Sequence, residues 1–317
     1  SYKKLIFIIE GGAVITLIVL SYNHREFIVE TLNSVYNVNL QKKVIIIDDG
    51  SSDGSCEIIE KYIERYNYQS ITRFFRKENA GLVDSLNMSL KLIDTEYAFF
   101  IASDDIINPY GFTSMFQTML AHENMNIAIG NAYVLYTGKT PEQKVYGKEH
   151  FDFFSKKDSE IRKDIFINFP KPLLLQSTIF KTACLRDVGG WDSKLVWDDY
   201  PMFVKLFMRN SFDRGNIFFF ADLVVSFYRQ HQFNTYKNLL KQLSMVEETF
   251  KSIVPLKYYK DAISNQYAFY FLLSLREKNN KAIKKIIKVI VCEKLFFYFA
   301  KYFFVHIIKW ISRRLSK

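Results

Sequence analysis

The chain has 317 residues, 49% of them hydrophobic and 24% charged, a balance that excludes a disordered or fibrous chain and allows a sizeable core. Its net charge of +10 is concentrated at one end, because residues 278–317 hold eleven Lys or Arg and one acid, Glu293, while the other residues sum to zero. A neutral body argues against a nucleic-acid-binding protein, and a basic, aromatic end suits an anionic surface.

In chain order, Leu5–Ile9 and Ala13–Leu20 are apolar runs interrupted by Glu10-Gly11-Gly12. Neither is long enough to span a bilayer, and no signal peptide is expected. Ala13–Leu20 reads as the first strand of a parallel sheet, continuous and rich in β-branched residues. Phe27–Tyr36 has helical spacing, Val44–Ile47 is a second strand and Glu57–Tyr66 a second helix, with Asp53 or Ser55 as candidate caps. Ile71–Phe75 reads as a third strand, Gly81–Ile93 as a third helix and Tyr97–Ala102 as the next strand. Such alternation predicts a doubly wound α/β sheet. Beyond Pro109 the pattern loosens. Phe112–His122 reads as helix, Ile127–Tyr136 as strand, Gly138–Lys163 as polar and loop-rich, Pro201–Arg209 as helix and Ile217–Tyr228 as a strand pair. From about Lys237 the chain reads as wholly helical. Cys56, Cys184 and Cys292 are far apart, with neither metal-ligand spacing nor a disulfide framework, which points to a reducing compartment.

Two Asp clusters stand at strand ends. Val44–Ile47 runs into Asp48-Asp49-Gly50-Ser51-Ser52-Asp53-Gly54, and Tyr97–Ala102 runs into Ser103-Asp104-Asp105. Open α/β sheets bind ligands at the carboxyl ends of their strands. Two acidic clusters facing one crevice repel each other unless a cation or hydrogen-bonding ligand lies between them, so a metal and a polar substrate are implied.

Together with Ser21-Tyr22-Asn23, Asn79-Ala80-Gly81 with Asn87, and Gly189-Gly190-Trp191-Asp192 followed by Trp197-Asp198-Asp199, these clusters resemble the motif series of the inverting glycosyltransferase family 2, over roughly residues 13–235. The resemblance implies a GT-A fold: a doubly wound, mostly parallel sheet flanked by helices, here with a helical C-terminal extension. It divides the chain into a nucleotide-sugar half (1–110), an acceptor half (111–236) and the extension (237–317). It implies a nucleotide-sugar donor, with a UDP-sugar expected. Asp48 would accept from the uracil N3–H, with Tyr22 stacking near the base and Ser21, Asn23, Asn79 and Gly81 closing on the nucleotide. Asp105 would ligate Mn2+ or Mg2+, and Asp104 would contact ribose or bound water.

Inversion needs one carboxylate to deprotonate the acceptor hydroxyl. The family's Glu-Asp pair falls here on Asp198-Asp199, so Asp199 is the expected base with Asp198 as its neighbour. Asp198 stands where the family has Glu, and Pro201 where another acid is common. Tyr228-Arg229-Gln230-His231 resembles a segment that closes on the diphosphate, which makes Arg229 a phosphate contact and His231 a further metal ligand.

The processive members' Gln-x-x-Arg-Trp motif does not occur, favouring transfer of a single sugar. Lys294, Lys301, Lys309 and Arg313 fall on one helical stripe among aromatic and aliphatic residues. A peripheral protein on the cytoplasmic face of an anionic membrane is therefore expected, acting on a glycan or lipid-linked glycan acceptor; the same helices could instead join copies of the chain. Two rivals fit less well. A sugar-nucleotide nucleotidyltransferase would carry a Gly-rich basic loop where Ser21-Tyr22-Asn23-His24 stands, and a catalytically silent scaffold would not need Asp48, Asp105 and Asp199.

Overall fold

The computed structural model of the protein describes residues 15–231 and 238–315 and, at the C-terminal end, side chains as far as Ile311. The run Leu5–Ile9 and the first two residues of Ala13–Leu20 lie outside the described residues, as does the Arg313 side chain. The chain forms two compact units. The first takes residues up to Tyr146, Leu174–Gly190 and Arg214–Arg229; the second takes Gly147–Leu173, Trp191–Asp213 and the chain from Gln230.

The first unit is built on β1 (Ile15–Ser21), α1 (Ile28–Tyr36), β2 (Lys42–Asp48), α2 (Ser55–Arg65), β3 (Thr72–Arg76), α3 (Leu82–Leu92) and β4 (Tyr97–Ala102). All seven residues of β1 are buried, as a parallel strand covered on both faces must be. It pairs in parallel with β2 on one side and β4 on the other. Ile28, Thr31, Leu32 and Val35 of α1 are buried at helical spacing. Leu17, Val19, Ile46, Phe99 and Ile101 from the sheet share one core with Leu32 and Val35.

The sheet then turns antiparallel. After β5 (Ile106–Ile107) and α4 (Pro109–Leu120) come β6 (Ile127–Tyr136), β7 (Thr178–Lys181), α7 (Thr182–Asp187) and β8 (Ile217–Gln230). The eight strands run β3-β2-β1-β4-β7-β6-β8-β5, a mixed sheet flanked by helices, as the motifs predict. Gly111 of α4 lies where an added Cβ would meet the Val224 carbonyl oxygen at 1.9 Å, so glycine lets the helix sit against β8.

Ile217–Gln230 is one strand, not the expected pair. Midway along it the Ala221 carbonyl accepts from the Asn131 side chain at 3.2 Å. Asp222 stays in solvent beside Lys144, so this charged residue passes without breaking the strand.

The second unit is helical: α5 (Lys148–Phe154), α6 (Asp158–Ile167), α8 (Asp199–Arg209), α9 (Leu239–Ile253), α10 (Leu256–Arg276), α11 (Asn280–Cys292) and α12 (Phe296–Leu315). Here the sequence reading is corrected, since Gly138–Lys163 holds α5 and the first part of α6. The charges that suggest loops lie on the outer faces, while Phe153, Phe154, Ile161 and Ile165 are buried. Stacked rings organise the interior, with Phe169 on Tyr200 at 4.2 Å and Tyr200 on Phe250 at 5.5 Å. α12 lies along α10: Phe271 meets Phe299 and Phe303 edge-on, Tyr302 O–H donates to Asp261 at 2.7 Å, and His306 pairs with the Asn265 side chain at 2.8 Å. No helix among the described residues is long and apolar enough to cross a membrane.

Candidate active site

Register brings the motifs of the first unit together. Ser21 is paired with Asp48 across β1 and β2, and Leu20 with Ala102 across β1 and β4. The loops leaving these strands are then tied to one another, Asp49 N–H donating to the Ser21 carbonyl at 2.8 Å and Ser103 N–H to the Leu20 carbonyl at 2.9 Å. Three loops therefore leave the sheet at one level. Ser21 is buried, and its hydroxyl has no hydrogen-bond partner among the described residues. Tyr22 beside it is exposed. Asn23 has a left-handed φ of 54°, and its side-chain oxygen accepts from Ser52 N–H at 2.8 Å.

Asp48 is fully buried, with its two oxygens accepting from Ser51 N–H (2.7 Å) and Ser51 O–H (2.6 Å). Asp49 holds the Asn79-Ala80-Gly81 loop. It accepts from Ala80 N–H at 3.0 Å and Gly81 N–H at 2.9 Å and is ion-paired with Lys77. Gly50 has φ +78°, and a Cβ there would stand 2.8 Å from the Asn79 nitrogen. Asn79 itself is exposed.

Asp104 and Asp105 are both buried and have different surroundings. The Asp105 carboxylate accepts from Arg229 N–H at 2.8 Å, and its carbonyl accepts from Thr31 O–H at 2.7 Å. Burial, and next the neighbouring Asp104 charge, push the Asp105 carboxyl well above the usual range, against Arg229 and a hydrogen bond from Gln176. Asp104 instead has a carboxylate oxygen 3.7 Å from His24 Nδ1, which also pairs with Ser103 Oγ at 2.8 Å. A carboxylate and an imidazole so placed are donors that suit a divalent cation, and of the adjacent acids it is Asp104 that belongs to the possible His/Asp metal site. Arg229 is buried, donates from Nε to the Asp104 carbonyl at 2.7 Å, pairs with Glu30 and lies over the Phe27 ring at 4.8 Å. His231 is the residue immediately after β8.

In the second unit, Asp199 is the first residue of α8 and Asp198 precedes it at the cap position. Burial pushes the Asp198 carboxyl up to about 6, against hydrogen bonds from the N–H groups of Asp198 and Asp199. Sequence reasoning singled out no role for His24, Lys77, Thr31 or Gln176. His24 had a signal available, one residue beyond the Ser-Tyr-Asn motif, but its pairing with residue 103 depends on the strand order.

A sheet of this order with buried acids at its strand ends is that of the GT-A fold. Solved structures of that kind resemble it: Staphylococcus aureus TarS (residues 1–349) in complex with UDP-GlcNAc, with a TM-score of 0.55 and 18% identity over 81% of this chain and 72% of that one. A mannosyltransferase from Pyrobaculum calidifontis in complex with GDP-Man and Mn2+ gives a TM-score of 0.55 at 13% identity, over 95% of this chain and 87% of the other. The chain belongs to glycosyl transferase family 2, whose model matches residues 16–182, just over half of it. Curated relatives include the poly-beta-1,6-N-acetyl-D-glucosamine synthases of Staphylococcus aureus (strain COL), 26% identical over 62% of this chain and 46% of that protein, and of Staphylococcus epidermidis, 25% identical over 61% and 45%. The chain thus spans about half the length of these curated relatives.

Proposed function

We propose that the protein transfers a sugar, with inversion, from a UDP-sugar to a glycan or lipid-linked glycan precursor of a cell-surface polysaccharide. The observation that carries this reading is the in-register convergence of Ser21, Asp48 and the Asp104 loop at the carboxyl ends of β1, β2 and β4. A nucleotide fits such a place. The buried Ser21 hydroxyl offers a hydrogen bond, exposed Tyr22 offers a ring face to a base, and Gly81, with φ +91° and open space where a Cβ would stand, permits close approach of a ligand.

The donor set suits a metal. Asp104 and His24 would hold Mn2+ or Mg2+, and His231, two residues beyond the anchored Arg229, is proposed as a third ligand. Two residues of chain reach about 7 Å at most, which limits how far His231 can stray from that anchor. Such a cation would neutralise charge growing on a departing diphosphate. Asp105 is proposed to position Arg229 rather than to bind the cation, since its carboxylate accepts the Arg229 N–H. Asp199 is proposed as the base that takes the acceptor hydroxyl's proton, with Asp198 beside it tuning its charge. The free thiols of Cys56, Cys184 and Cys292 support a cytoplasmic location.

The test is to incubate the protein with a panel of nucleotide sugars, with and without Mn2+, and measure nucleotide release. Release of UDP from a UDP-sugar that EDTA abolishes is the expected result. Turnover of a GDP-sugar alone would overturn the donor assignment, and full activity in EDTA would overturn the metal.

A further inference from the structure

The helical end of the chain holds a surface that the transfer chemistry does not use. The corner between α11 and α12 presents Val291 (70% exposed), Phe296 (68%) and Phe297 (85%) within seven residues. From Phe297 an apolar stripe continues along α12. Phe304 (62%), Ile308 (66%) and Ile311 are all exposed, at intervals of seven, four and three residues, which keeps them on one helical face. The opposite face carries Tyr302 and His306, which are tied to α10. α11 shows the same division, with Ala282, Ile286 and Ile290 buried and Lys281, Lys284, Ile287, Lys288 and Val291 exposed.

The cations are arranged differently from the stripe read in the sequence. Lys301 bonds to Asp261 and Lys309 pairs with Glu149, so both are engaged by acids of their own unit. The exposed lysines of the corner are Lys281, Lys284, Lys288 and Lys294.

We propose that the outer face of α11 and α12 docks on an anionic lipid bilayer, with Val291, Phe296, Phe297 and Phe304 entering the acyl boundary and the exposed α11 lysines and Lys294 on headgroups. Charge selects this occupant. A two-fold contact with a second copy would set the same patch against itself, and here that patch belongs to a segment with eleven cations and one acid. An anionic surface turns the same charges into attraction, on the order of 1 kcal/mol per Lys near the surface. Aromatic side chains this exposed, next to a run of lysines, are the composition of an interfacial helix. This inference does not depend on the donor, metal or base assigned above.

The experiment is co-sedimentation of the full chain with phosphatidylcholine vesicles with and without phosphatidylglycerol. Binding to the anionic vesicles is expected, weakened but not abolished by salt. Phe297→Asp with Phe304→Asp should abolish it, and Lys284→Glu with Lys288→Glu should lower affinity at least about tenfold. Because Lys284 and Lys288 are exposed, the lysine pair tests the proposal even where the phenylalanine pair disturbs folding. Equal binding to neutral vesicles, undiminished binding by the lysine pair, or a dimer in light scattering that the phenylalanine pair splits would each overturn the proposal. The last outcome would make the face a contact between copies.

Discussion

Asp104 and Asp105 are adjacent and chemically identical, and what separates them is what their oxygens already touch. Asp105 accepts the Arg229 N–H, while Asp104 approaches His24. Asp104→Asn should therefore remove Mn2+ binding in a titration followed by electron paramagnetic resonance, because an amide cannot supply the carboxylate charge. Asp105→Ala should leave the cation in place and lower stability by about 1–3 kcal/mol, the cost of an orphaned buried donor. Loss of Mn2+ binding by Asp105→Ala alone would return the ligand role to Asp105. Which of the two carboxylates accepts the Arg229 N–H was not legible in the motif, since position along the chain does not show which one β8 will cover. Asp198 makes a separate prediction. With its carboxyl pushed up to about 6, the charged form is present above that pH, so activity should fall as pH drops through 6, and Asp198→Asn should move that limb of the pH–rate profile. Stability runs the other way. The folded carboxyl keeps its proton up to about 6, whereas the unfolded one releases it near 3.8. Folding stability from this group should therefore decline as pH rises between those values.

At the scale of elements, the strands and helices up to Ala102 were read nearly to the residue, because each buried strand is a continuous apolar run and each helix keeps one apolar face. α5 and α6 were missed since charged residues are interspersed with their buried Phe and Ile, which blurs the helical period over so few turns. β5 and α7 are too short to show a period. Elements are also held by single close approaches. Gly111 permits α4 to lie on β8 with no room for a methyl group, 1.9 Å from the Val224 oxygen. Gly111→Ala should cost about 3 kcal/mol or prevent folding, the range for overpacking a core, as read from the urea midpoint. Asp49 links β2 to the Asn79 loop through two backbone N–H groups and Lys77. Asp49→Ala should cost about 3 kcal/mol, in line with breaking a largely buried ion pair. A change under 0.5 kcal/mol would mean that the loop is held by other contacts.

At the scale of the whole molecule, a reading that moves along the chain expects consecutive domains, whereas each compact unit draws on three separate stretches. β7 and β8 join the sheet of β1 to β4 from far along the sequence, and only pairing partners reveal that. The C-terminal end shows the same gap between pattern and packing. Its periodicity and charge suggested a membrane-facing helix or a contact between copies, but α12 also has a side packed within its own unit: Tyr302 is buried, and Phe299 and Phe303 lie against Phe271. Removing residues 296–317 would bare that side of α10, leaving Asp261 without Tyr302 and Lys301, and Asn265 without His306. Burying one Phe contributes about 1.5–3 kcal/mol, so losing this face costs a large share of a net stability on the order of 10 kcal/mol. The truncated chain should accordingly melt at a lower temperature and lose helical circular dichroism beyond the α12 residues removed. A truncated protein with an unchanged midpoint would show that α12 stands apart from the unit's stability after all.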